Sequence, residues 1–187
     1  MQPHRVAEKL RQQMRAFSGI FSPRFSRPQL KFIEQMLFGI AASQDCKLSR
    51  IARSLNEPIL LKKTEERLSH HLADPQLGRR VQEEVVAHAA PRIHEDTLLV
   101  VDLTDVRKSH AQAMPYLATV RDGSTGQLAP GYWAGVVLAC EPASRRVLPL
   151  LQQLWSAEAP DFVSENAQVL ALVNRTAAAT QWRGAST

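Results

Sequence analysis

A carboxylate that closes a run of apolar strand formers is costly to bury, and Leu98-Leu99-Val100-Val101-Asp102 presents one. A divalent metal ion is one compensation for such a charge. Thr104 lies two residues on and faces the same side of an extended chain, whereas Asp105 faces the other. The competing reading is an Asp that ends a strand and bonds to loop backbone, a frequent use of this residue. Lys108 and His110 follow; they belong either to contact with an anionic substrate near such a site or to an ordinary exposed loop. A second set of residues suits polyanions: Lys62, Lys63 and Arg67 for phosphates, with Ser69, His70 and His71 near a groove. Against this stand Glu65 and Glu66, which repel phosphate, and the plain alternative of two packed helices with solvated charges. His70 and His71 make no metal pair, because neighbours on a helix point about 100° apart.

The elements that must position these residues divide the chain in two, residues 1–95 and 96–187. The first half reads as helices. Arg5–Ala16 is a short polar one, followed by the Pro-containing stretch Gly19–Phe25. Ser26-Arg27-Pro28-Gln29 has the spacing of a capping box with Pro in the first turn. Leu30, Ile33, Leu37, Ile40 and Ala41 then mark one helical face. Ser49 is expected to cap a helix bearing Ile51, Ala52 and Leu55, which Asn56-Glu57-Pro58 breaks. Thr64 is expected to cap Glu65–Leu72, so that Leu48–Leu55 and Lys62–Leu72 resemble a helix-turn-helix with a long, six-residue connection. Asp74-Pro75 starts a further helix with Leu77, Val81, Val85 and Ala89 inward, and Pro91 ends it.

After Glu95 the period changes. Leu98–Val101 reads as a central strand. Tyr116–Val120, Tyr132–Cys140 and Val147–Leu151 follow as strands, with turns at Asp122–Gly126 and Glu141–Arg146, a succession that suggests antiparallel hairpins. Ser164 caps a last helix whose apolar side is Val163, Ala167, Leu170, Val173 and Ala177, and residues 181–187 read as a frayed polar end. Trp133 and Trp155 read as core or interface aromatics, and Arg145-Arg146 as an exposed turn. The fold class is therefore α+β: a helical domain, then antiparallel strands with one helix.

Charge sharpens the division. The net charge is +5, yet residues 1–95 carry 16 Lys/Arg against 10 Asp/Glu, while residues 96–187 carry 7 against 8. The basic excess thus lies wholly in the helical half, which attracts nucleic acid by a sequence-independent term. No apolar stretch is long enough to span a membrane and no signal peptide is evident. Cys46 and Cys140, without a Cys-x-x-Cys pair or zinc spacing, read as reduced core thiols of a cytoplasmic protein.

The ordered set of segments around Asp102 resembles the DDE-type insertion-sequence transposases, which share a ribonuclease-H-like fold with retroviral integrases. The resemblance runs over about residues 26–180 and most strongly over 96–170. It is carried by Asp102-Leu103-Thr104 as the family's Asp-x-Thr, by Lys108, by Tyr116–Gly126, by Gly131-Tyr132-Trp133, by Val147–Leu150 and by Trp155–Pro160. It implies that Asp102 is the first of three carboxylates holding two Mg²⁺ (or Mn²⁺) ions for phosphoryl transfer on DNA. The family's second Asp and its Glu lie beyond the last helix, and no residue here matches either; Glu158 and Glu165 stand before or at the start of that helix. The expectation is an incomplete ribonuclease-H-like domain that binds metal weakly and does not cut DNA by itself. The implied partners are double-stranded transposon-end DNA and a second copy or a full-length transposase. A non-catalytic DNA-binding regulator or inhibitor of transposition is the alternative, and a fragment with no selected role a third.

Overall fold

The computed structural model describes residues 3–21, 23–111 and 113–181, and residues 182–187 of the expected frayed end lie outside them. Among the described residues, six α-helices and four strands fall into two compact units, one through Glu84 and one from Val85, so the division falls inside a helix, α5 (Leu77–Ala89). The sequence boundary at 95/96 follows the change of period. The contact boundary comes earlier because Val86, Ala89 and Ile93 belong to the core of the sheet.

The first unit contains α1 (Pro3–Ser18), α2 (Arg27–Ser43), α3 (Leu48–Leu55) and α4 (Leu61–Leu72). The capping role of Ser26-Arg27-Pro28-Gln29 is realised: the Ser26 N–H and hydroxyl both donate to Gln29 Oε1 at 3.1 Å. The buried face of α2 is rotated from the expected one. Phe32, Ile33 and Phe38 are inside, whereas Ile40 and Ala41 are exposed. The cause is Gly39, where a Cβ would lie 2.4 Å from Ile51 Cγ2; the missing side chain lets α3 close onto that side of α2. Two expected caps are also displaced. Ser49 lies inside α3, whose N-cap is Lys47, and Asp45 Oδ1 accepts the Lys47 N–H at 2.8 Å. Thr64 lies inside α4, buried, and donates to Glu57 at 2.9 Å instead of capping. Cys46 is exposed, not a core thiol.

The second unit is a four-stranded antiparallel sheet of β1 (Leu98–Arg107), β2 (Ala118–Arg121), β3 (Leu128–Glu141) and β4 (Arg146–Trp155), with α6 (Glu165–Thr180). β3 is central, and the other three strands all pair with it. A register shift between Val137 and Leu138 accommodates Pro149 in β4. One face is covered: Leu172 of α6 packs with Val86, Ala89 and Ile93 on Val137, Ala139 and Trp155. Gly135 permits this closeness, since a Cβ there would lie 2.3 Å from Leu172 and 2.9 Å from Trp155.

α6 starts as expected, with Ser164 Oγ accepting the Ala167 N–H at 3.1 Å. Its buried side differs, however. Leu172, Thr176, Ala177 and Thr180 face inward, while Val163 and Leu170 are exposed. The two threonines can be buried because each hydroxyl donates to the carbonyl four residues back, at 2.8 and 2.9 Å. Leu98–Val101 is not a central strand. Among the described residues β1 pairs with β3 alone, and Leu98, Val100, Val101 and Leu103 are all exposed. An apolar run reports the burial a strand is suited to, and here neither the outer edge of β1 nor its far face is covered. No helix of the described residues is long and apolar enough to cross a membrane.

Candidate functional site

Asp102 sits in the middle of β1, opposite Val136, and not at a strand end, because the ladder continues to Arg107 opposite Gly131. It is exposed, so no burial penalty calls for a metal at this position. Thr104 shares its face, on the side of the sheet that α6 does not cover. Among the described residues no three His, Cys, Asp or Glu side chains are grouped to hold a metal ion. A single solvent-facing carboxylate does not fit a bound Mg²⁺ pair, which needs several oxygen ligands. Lys108 comes six residues further on, about 20 Å along an extended chain, so the two do not share a site.

In the sheet unit Asp105 and Asp122 are carboxylates with built surroundings. Asp105 Oδ1 accepts the Gly123 N–H at 3.1 Å. Asp122, 3% exposed, accepts from the Ser124 and Thr125 hydroxyls at 2.6 Å each and pairs with Arg107. Those hydroxyls, with the Ser124 and Thr125 amides, hold its carboxyl well below the ordinary range. This cluster fastens the hairpin to β1.

The cationic residues separate into paired and unpaired ones. On α4, Lys62, Lys63, Arg67 and His70 fall within an arc of about 140° at 100° per residue. Arg67 is turned inward, pairing with Glu57 and donating to Gln35. Glu57 also accepts from Thr64 and from Gln35, both at 2.9 Å. Burial pushes the Glu57 carboxyl up, and the Thr64, Arg67 and Gln35 contacts outweigh it to leave it lowered. Arg67 is therefore spent on joining α2, the α3–α4 connection and α4. Lys63 pairs with Glu66 at 3.1 Å. His71 stacks on Phe32 with ring centroids 5.0 Å apart; burial, helped by His70 and Arg67, lowers its pKa. Exposed Lys62 and His70 remain, with no ion pair among the described residues.

The neighbouring helix is different. Ile51, Ala52 and Leu55 bury one side of α3, and Lys47, Arg50 and Arg53 stand exposed on the other. None of the three makes a side-chain ion pair among the described residues, and no acid occurs between Lys47 and Asn56. The i, i+3, i+6 spacing aligns them along one side over about 9 Å. Sequence reasoning passed over this stripe in favour of the richer charge of α4. The available signal was the absence of acids, which distinguishes a free cation from one that finds a partner. The chain matches no protein-family model and no curated protein at significant similarity.

Proposed function

We propose that this chain is a duplex-DNA-binding protein of the DDE-transposase type, holding DNA through its helical unit. The observation that carries the reading is the α3 stripe of Lys47, Arg50 and Arg53, exposed, unpaired and facing away from a packed apolar side. Two such cations on a short helix and a third at its N-cap, with a second helix joined by the five residues 56–60, suit helix-turn-helix docking, in which one helix enters a major groove about 12 Å wide. The order of strands, with an Asp-x-Thr on β1, an antiparallel sheet and a following helix on one face, supports a partial ribonuclease-H-like reading of the second unit.

The isolated position of Asp102 favours a specific second reading: binding without cutting, as in a regulator that occupies transposon ends. The experiment is affinity for duplexes drawn from the DNA flanking the coding region against scrambled duplexes, over a series of salt concentrations. A preference for flanking DNA that persists at high salt is expected. Equal affinities would leave only non-specific charge attraction and remove both readings. Incubation with Mg²⁺ or Mn²⁺ is expected to yield no strand cleavage; cleavage abolished by Asp102→Ala would decide for the enzyme.

A further inference from the structure

The sheet has two outer strands, and the sequence treats them differently. β4 carries Pro149, and its ladder with β3 shifts register between Val137 and Leu138. A proline and a bulge both keep an edge from recruiting another strand. β1 has neither. Leu98–Val106 contains no Pro, Gly or Lys, and its ladder with β3 runs without a shift from Leu98 opposite Cys140 to Arg107 opposite Gly131.

The direction of the β1 hydrogen bonds follows from that ladder. One step past the Arg107–Gly131 pair, the Lys108 N–H donates to the Pro130 carbonyl at 2.7 Å. Bonded and non-bonded pairs alternate along an antiparallel ladder. The even-numbered residues of β1 therefore bond to β3. The N–H and C=O groups of Leu99, Val101, Leu103, Asp105 and Arg107 point to the open edge, where no strand of the described residues meets them. The side chains beside this edge are apolar on both faces. Leu98 and Val100 lie on one and Val101 and Leu103 on the other, each between 36% and 41% exposed. α6 packs over β3 and β4 and leaves the second of these faces open at β1. A strand that is apolar on both faces is suited to the middle of a sheet, not to its rim.

We infer that β1 pairs antiparallel with β1 of a second copy of this chain, about a two-fold axis perpendicular to the sheet and through Leu103. The two four-stranded sheets then join edge to edge, and β1 becomes an inner strand. Charge selects the register. Such an axis keeps opposed side chains on one face, so it passes between a residue and its own copy. On Asp102 or Asp105 it would set like carboxylates face to face, which destabilises a sheet. On Val101 or Thr104 it would set the Asp102 carboxylate against Val100 or Val106. On Leu103 it sets Asp102 against the Thr104 hydroxyl, a hydrogen-bond donor, and Val100 against Val106. Asp105 then faces Val101, but its charge is already held by the Gly123 N–H and Arg107. This register uses every outward group from Leu99 to Arg107, about ten backbone hydrogen bonds. Because both copies use the same surface, the assembly closes at two.

The test begins with sedimentation velocity on the full-length chain, which is expected to show a reversible monomer–dimer equilibrium between about 1 and 100 µM. Leu103→Pro removes an N–H that β3 does not use, so it should weaken the dimer by about 10-fold or more while the circular-dichroism signal of the sheet is retained. Paired cysteines decide the matter even if the proline variant fails to fold. Opposed residues of a non-hydrogen-bonded pair stand about 4.5 Å apart at Cα, within disulfide reach. In a Cys46→Ser background, Asp102→Cys/Thr104→Cys is expected to form a covalent dimer on mild oxidation, and Asp102→Cys alone several-fold less of it. A wild type that stays monomeric to about 100 µM would overturn the inference. So would a folded proline variant that dimerises like wild type, a single-cysteine variant that cross-links as well as the pair, or species that grow beyond two copies. A dimer that appears only on Asp102→Asn would likewise overturn it, making Asp102 a charge that guards the edge.

Discussion

The two units solve the problem of a buried side in opposite ways. In the helical unit each of α2, α3 and α4 has a covered apolar side, and the polar groups that reach inward, Thr64, Arg67 and Glu57, satisfy one another. Its outside carries free cations along α3 beside exposed apolar residues such as Leu60 and Leu72. In the sheet unit Leu172 and its neighbours cover one face only in part, leaving Val101 and Leu103 exposed on it, while the other face leaves Val147 and Leu154 55% and 57% exposed; among the described residues β1 pairs with β3 alone. The difference teaches where each kind of function can reside. A surface bearing unpaired cations suits docking on a polyanion, whereas Asp102 stands exposed in mid-strand, and among the described residues no three His, Cys, Asp or Glu side chains are grouped around a common point.

The comparison can be broken most forcefully at Gly135. Gly135→Val drives a side chain into Leu172 and Trp155, and a loss of about 3 kcal/mol is expected. Hydrogen exchange should show it confined to the sheet unit, with helical-unit protection retained. Glu57→Ala is the counterpart. It removes the acceptor shared by Thr64, Arg67 and Gln35, and about 2–3 kcal/mol is expected to disappear from the helical unit. Spread of either loss evenly over both units would deny that they are distinct cooperative bodies.

A gentler probe is pH. The folded Asp122 carboxyl titrates below its ordinary value of 3.8, so its stabilisation is present above that value and declines as pH falls through it toward the lower folded value. The stability advantage of wild type over Asp122→Asn in chemical denaturation is thus expected to be larger at about pH 6 than at about pH 3. A constant advantage would mean the Ser124 and Thr125 contacts do not depend on the charge. The smallest effect is expected on the uncovered face. Val147→Lys should change stability by less than about 0.5 kcal/mol while raising solubility. A loss of more than about 2 kcal/mol would show that this face is covered.

Much of the order of elements was legible in the sequence because its signals are local. Ser26 and Ser164 begin helices where their spacing says they should, and Asp122–Gly126 turns the chain. The inward faces of α2 and α6 were not legible, because Gly39 and Gly135 decide them by omission: each lets a neighbour approach, which hydrophobic periodicity does not register. The Thr64 and Ser49 caps failed for a related reason. A hydroxyl or a short polar residue serves a helix start or a helix interior equally well, and Glu57 settled the matter for Thr64 from outside the helix. Asp102 was found in the sequence by the apolar run before it. Its exposure was not, since it depends on which strands flank β1. In the same way, the count of cations singled out the helical half of the chain, but only their partners distinguish the free Arg50 from the engaged Arg67.

That distinction sets the most direct test, the salt dependence of duplex binding by the wild type, by Lys47→Ala/Arg50→Ala/Arg53→Ala and by Lys62→Ala/Lys63→Ala. Each phosphate contact contributes about 0.9 to the slope of log affinity against log salt. The α3 variant should therefore lose about 2.7 from that slope if all three side chains meet phosphates, and the α4 variant should lose about 1 or less. An unchanged slope for the α3 variant, with the loss appearing in the α4 variant instead, would contradict the account.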